Sequence, residues 1–192
     1  MSDLAEPDPA LVDAAARVID RTGLASLTLS ALADEAGLSR VTVHRRGAPL
    51  EAYVVAVVTR ASDDLRASLW PALTSSAPAA DRLRQALVVL CEVFERHSGV
   101  MAAVYDIAPH PIEGRPGRTT SLEFVEPFSK LLADGALDGS LVACDDPRSE
   151  ATLIANGVAW TYLHMRRAHG WPEGEATDRV VDMATARLLP RG

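Results

Sequence analysis

The sequence predicts an all-α fold of about nine helices, on three observations. Apolar residues recur at three- and four-residue spacing along most of the chain. Alanine, leucine and valine dominate a chain that is 48% hydrophobic and only 5% aromatic, which suits closely packed helices. Glycine and proline gather at a few places between the periodic runs. The β-branched runs VVAVV (54–58) and ALVVL (86–90) continue at helical spacing on both sides, so they read as helix rather than strand.

Taken in order, Leu11, Ala15, Val18 and Ile19 make a first apolar helix face that ends at Gly23. Leu32, Ala33 and Ala36 form the stripe of a short second helix, and Leu38 and Val43 continue it beyond a turn at Gly37. Thr28 and Ser39 stand where N-caps accept bonds from free helix-start N–H groups. A long helix begins near Pro49, carries Leu50, Tyr53, Val54, Val57, Val58, Ala61 and Leu65, and is expected to stop before Pro71. Ala79–His97 follows, with Leu83, Leu87, Leu90 and Phe94 on one face, and then a short helix over Gly99–Ile107. Ala108–Gly117, with three prolines and two glycines, reads as a loop. Thr119–Asp134 is expected to be helical with a kink at Pro127, and Pro147–His169 and Glu175–Leu189 are the last two helices. The division is a three-helix unit at 1–47 and a six-helix domain at 48–192.

Composition narrows the function. No apolar run approaches the ~20 residues that span a bilayer, and the acidic start MSDLAEPDPA lacks the pattern of a secretory leader, so a cytoplasmic protein without membrane contact is expected. Cys91 and Cys144 form no C-x-x-C motif and read as reduced thiols. The chain has no glycine-rich phosphate loop, no H-E-x-x-H, no G-x-S-x-G and no clustered metal ligands, so no catalytic residues, cofactor or metal are expected.

One stretch does carry chemistry. LTLSALADEAGLSRVTV (27–43) is a short helix, a glycine corner and a second short helix, the device that seats one helix in the DNA major groove. Ala33 is small where two short helices must cross, and Gly37 suits the left-handed corner. Between Gly37 and Leu50 stand Arg40, Arg45, Arg46 and His44 and no acid, in a chain of net charge −7. Binding follows the local field, and phosphate contacts supply most of the affinity of such modules.

The segment LVDAAARVIDRTGLASLTLSALADEAGLSRVTV, followed by a long connecting helix, resembles the tetracycline-repressor (TetR) family of bacterial regulators. The specific match covers about Leu11 to Tyr53, and the remainder matches in length and helix number. The resemblance implies an all-α homodimer with a DNA-binding head and a ligand-binding body that controls it. Where the family usually carries a tyrosine, a phenylalanine and a lysine at three-residue intervals after the recognition helix, this chain has His44, Gly47 and Leu50.

The recognition helix is expected over Ser39 to about Arg46. Arg40, Val41, Thr42 and Arg45 would face the groove: arginine can bond guanine O6 and N7, and the methyls of Val41 or Thr42 can meet a thymine methyl. Thr28, Ser39, His44 and Arg46 would hold phosphates. In the body, Phe94, Met101, Tyr105, Phe124, Phe128, Trp160 and His164 would line a pocket for a small hydrophobic or aromatic effector. Ala151, Ile154, Val158 and Met165, with Val180, Val181, Ala184 and Leu188, would form a four-helix dimer interface approached closely at Gly157. The functional expectation is a ligand-responsive transcriptional regulator, a repressor that binds a palindromic double-stranded DNA operator as a homodimer and is released by its effector. The alternative is a dimeric helical small-molecule-binding protein with weak or lost DNA binding.

Overall fold

The computed structural model describes residues 7–45, 48–107 and 122–190, and the described residues form nine α-helices and no strand. These are α1 (Pro9–Thr22), α2 (Leu29–Ala36), α3 (Arg40–Arg45), α4 (Leu50–Thr74), α5 (Ala79–Arg96), α6 (Ser98–Ile107), α7 (Leu122–Asp138), α8 (Pro147–Arg167) and α9 (Glu173–Thr185), with one 3-10 turn at Leu24–Ser26. The chain divides into two compact units. One comprises Met1–Asp64 and His97–Pro111, the other Leu65–Arg96 and Ile112–Gly192. The unit that holds the two short helices therefore extends well beyond residues 1–47, taking in the first part of α4 and all of α6.

In the first unit, the Asp8 carboxylate accepts the Ala10 N–H at 2.9 Å and Pro9 opens α1 without wasting a donor. Leu11, Ala14, Ala15, Val18 and Ile19 are sealed in a core with Leu32 and Ala33 of α2, Val43 of α3, Tyr53 and Val57 of α4, and Val100 and Ala103 of α6. The start of α6 is capped from α1: the Asp20 carboxylate accepts the Gly99 N–H at 3.1 Å. The two backbones meet so closely there that a Cβ on Gly99 would lie 2.5 Å from the Asp20 Cα. Beside it, His97 Nε2 lies 2.8 Å from an Asp64 carboxylate oxygen on α4.

In the second unit, α5 buries Leu83, Leu87, Leu90 and Phe94 against Phe128, Leu131 and Leu132 of α7 and the buried stripe of α8. Asp138 and Ser140 cap α5 by accepting the N–H groups of Ala79 and Ala80 at 2.8 and 3.0 Å. Tyr162 on α8 is fully buried and donates its hydroxyl to Glu95 at 2.9 Å. Arg166 clasps the same carboxylate through Nε and Nη2 and donates its Nη1 to the Trp171 carbonyl. These two partners outweigh desolvation and hold the Glu95 carboxyl below its ordinary value, while burial and the neighbouring carboxylate push the Tyr162 hydroxyl up.

Three sequence expectations are corrected. α4 does not stop before Pro71 but runs on to Thr74. Proline costs its own N–H bond and crowds the carbonyl one turn back, but Arg82 of α5 donates to the carbonyls of Ala72 and Leu73, satisfying the end of α4 from outside. α7 does not end at Asp134: it continues through Gly135, buried under Leu141, to Asp138. α9 ends at Thr185 rather than Leu189, because the chain then turns so that the Leu188 carbonyl accepts the Val142 N–H at 2.8 Å. The short helix α3, α6 and both starting caps fall where the sequence places them.

Gly99→Ala should cost about 1–3 kcal/mol through overpacking against the Asp20 backbone, read as a lowered melting temperature. Glu95→Gln should cost about 1–2 kcal/mol at neutral pH by weakening charge-assisted bonds. A depressed carboxyl contributes stability that is complete above its unfolded value and fades as pH falls through the folded one. The difference between the two proteins in denaturant titrations should therefore shrink below the ordinary value of 4.5.

Candidate nucleic-acid interface

α3 is only six residues long and cannot persist by itself, so its neighbours must hold it. The corner before it is built as its sequence requires. Gly37 adopts φ 66°, ψ 29°, the left-handed conformation that glycine enters without a Cβ penalty. The Leu38 N–H closes back on the Ala33 carbonyl at 2.9 Å. Thr28 caps α2 by accepting the Ala31 N–H at 3.1 Å, and Ser39 caps α3 by accepting the Thr42 N–H at 3.1 Å. Val43 is the only buried residue of α3, 1% exposed, and joins the core of the first unit.

With Val43 inward, the outward face is fixed by helix geometry. At about 100° per residue, Arg40, His44, Val41 and Arg45 follow one another around a single arc of roughly 140°. All four are exposed, Val41 to 74%, and together with Leu29 at the start of α2 they border one shallow groove. Thr42 falls outside that arc. It is half-buried, and its hydroxyl lies 2.8 Å from that of Ser39. Neither Arg40, His44 nor Arg45 pairs with another described residue.

One acid of α2 is tied to α1. Glu35 of α2 accepts from Arg17 at 2.7 Å and from Arg21 at 2.6 Å, both on α1. These bonds hold its carboxyl below the ordinary range. This pairing was missed in the sequence, and the one signal for it is that Arg17 and Arg21 stand one turn apart. Leu29, hidden behind its cap, gave none.

Of the sequence-predicted DNA residues, Arg40, Val41, His44 and Arg45 border the one groove, Thr42 does not, and Arg46 lies outside the described residues. Thr28 and Ser39 are exposed cap residues, and His44 sits on the outward arc between Arg40 and Val41.

The seven expected pocket residues are not all gathered. Phe94 and Trp160 form an edge-to-face pair with centroids 5.5 Å apart, and Phe128 is fully buried in the same unit. Met101 instead packs on the core of the first unit, because α6 turns its apolar side to α1. His164 is exposed at the end of α8, edge-on to His169 with centroids 5.0 Å apart. The side chains of Tyr105 and Phe124 lie outside the described residues. The expected interface stripes are also corrected: Ala151, Ile154, Val158, Val180, Val181 and Leu188 are buried within this single chain, where they serve as core. Among the described residues no three His, Cys, Asp or Glu side chains converge on a metal site, and no helix is long and apolar enough to cross a membrane.

Comparison with known proteins agrees with this geometry. Residues 11–46 match the family model described as bacterial regulatory proteins, tetR family. The fold is similar to the ketosteroid transcriptional regulator KstR2 of Mycobacterium tuberculosis, with TM-score 0.74, 19% identity and coverage of 98% of this chain and 100% of that one. It is similar also to the TetR family regulator PfmR of Thermus thermophilus, with TM-score 0.74, 18% identity and coverage of 92% and 97%. A γ-butyrolactone receptor aligns with TM-score 0.71 and 18% identity over 94% of this chain and 87% of that one. Comparison with curated protein sequences finds no match.

Proposed function

We propose that this chain is a DNA-binding regulator of the tetR family of bacterial regulatory proteins, whose model its first three helices match, and that it is a repressor that binds a palindromic operator as a homodimer and leaves it when a small apolar effector enters the body. The observation that carries the DNA reading is the face of α3: two arginines and a histidine, exposed and unpaired among the described residues, around an exposed valine. Such a face has no role in holding the fold together. It matches an anionic groove, with Arg40 and Arg45 toward bases and Thr28, Ser39 and Arg46 toward phosphates.

The homodimer reading rests on the outer sides of the last two helices, since their inner sides are already used. Leu153 of α8 and Met183 of α9 are each 60% exposed, and a Cβ added at Gly157 would meet nothing in this chain. Two small heads joined in this way would reach two half-sites. The effector reading rests on the aromatic pair Phe94–Trp160 and on two neighbours of the same fold, one titled a ketosteroid regulator and the other a γ-butyrolactone receptor. An effector that binds better when the heads are wrongly spaced would shift the dimer off DNA.

The alternative, a helical small-molecule-binding dimer with little DNA affinity, draws on the start of α4, where Leu50 is followed by exposed Glu51 instead of a cation. A mobility-shift titration with DNA from upstream of its own gene separates the two. Arg45→Ala should lose about 1–3 kcal/mol of operator affinity. With about three phosphate contacts per subunit, log affinity should fall against log salt with a slope near −5. A flat salt dependence would remove the DNA reading. Leu153→Glu should give a monomer in sedimentation at micromolar concentration and lose operator binding with it.

A further inference from the structure

Within the regulator reading, on which this inference rests, the geometry points to one base-reading contact. We infer that Val41 reads thymine: its two methyl groups meet the 5-methyl group of an operator thymine in the major groove, whereas Thr42 positions α3 and reads no base.

Two residues of α3 carry methyl groups that could make such a contact, and the structure separates them. Val41 is the most exposed large apolar side chain among the described residues of the first unit, at 74%, and lies on the outward arc. Arg40, His44 and Arg45 surround it, and Leu29 of α2 extends its apolar surface along the same groove. Thr42 points away from the centre of that arc. Its backbone N–H and its hydroxyl are both engaged with the Ser39 hydroxyl, at 3.1 and 2.8 Å, which locks the side chain into the start of the helix.

The surface around Val41 is an apolar spot inside a ring of cations and donors. Its complement is an apolar spot inside a ring of anions and acceptors. In the major groove only thymine offers one, since its C5 methyl projects between phosphates and the acceptor atoms of neighbouring bases. Guanines beside that thymine would take the flanking Arg40 and Arg45.

The test selects duplexes from a randomised library with the full-length protein at fixed salt. Each thymine of the enriched sequence is then replaced in turn by deoxyuridine, which keeps the O4 acceptor and the pairing and loses only the methyl. One thymine per half-site should lose about fourfold in affinity, the value of one buried methyl-sized group. Val41→Ala should bind equally to the thymine and uracil forms, while Thr42→Ser should keep the difference. Val41 makes no core contact, so Val41→Ala should melt like the parent, which separates a lost contact from a lost fold. If no uracil replacement weakens binding, or if Thr42→Ser rather than Val41→Ala abolishes the difference, the assignment of Val41 fails and the regulator reading stands. If no duplex is enriched, both fail together.

Discussion

A helix of six residues has too few internal bonds to hold its own shape, so everything that α3 can do depends on how it is anchored. The anchor is a single side chain, Val43, closed into the core formed by Leu11, Ala15, Leu32 and Ala33. Around that pivot the corner at Gly37 sets the direction of the chain and the Ser39 cap sets the start of the helix. One inward residue leaves the others outward, and the outward set is the cationic arc. Function here is a by-product of economy in packing: so little of α3 is needed by the core that most of its surface is free for a partner.

The same logic operates at the ends of the longer helices. Each helix terminus leaves backbone donors or acceptors without partners in its own helix, and this chain satisfies several of them from distant residues. Arg82 closes the carboxyl end of α4, Asp138 and Ser140 close the amino end of α5, and Asp20 closes the amino end of α6. These bonds are directional where apolar contacts are not. They fix where one helix begins relative to another, and so they give a core built from alanine, leucine and valine a single register. Glu95, shared between Tyr162 and Arg166, ties α5 to α8 in the same manner.

How much could be read beforehand follows from the range of each interaction. The corner at Gly37 and the caps at Thr28 and Ser39 depend on residues at most five apart, and the sequence displays them directly. The ends of α4 and α7 depend on Arg82 and Leu141, which lie outside those helices, and a reading by local punctuation stops at Pro71 and Gly135 instead. Apolar periodicity announced that Val158 and Val181 would be buried but not by which chain, so a stripe that belongs to the core read as a surface between subunits. Met101 was misplaced for a related reason: its helix face was legible, and the unit that the face would meet was not.

The first unit is assembled from two stretches of sequence, with residues 65–96 of the second unit lying between them. On the ribosome, α1 to α3 and the front of α4 emerge first, yet Val100 and Ala103 are still unmade, and the groove they fill on α1 stands open to water. Only when residues 97–107 leave the exit tunnel can Gly99 settle on Asp20 and close the head. The order of translation thus delays completion of the first unit until the second has begun to form. A gene fragment cut after α4 would yield every residue of the outward face of α3 without the helix that completes the core beneath it.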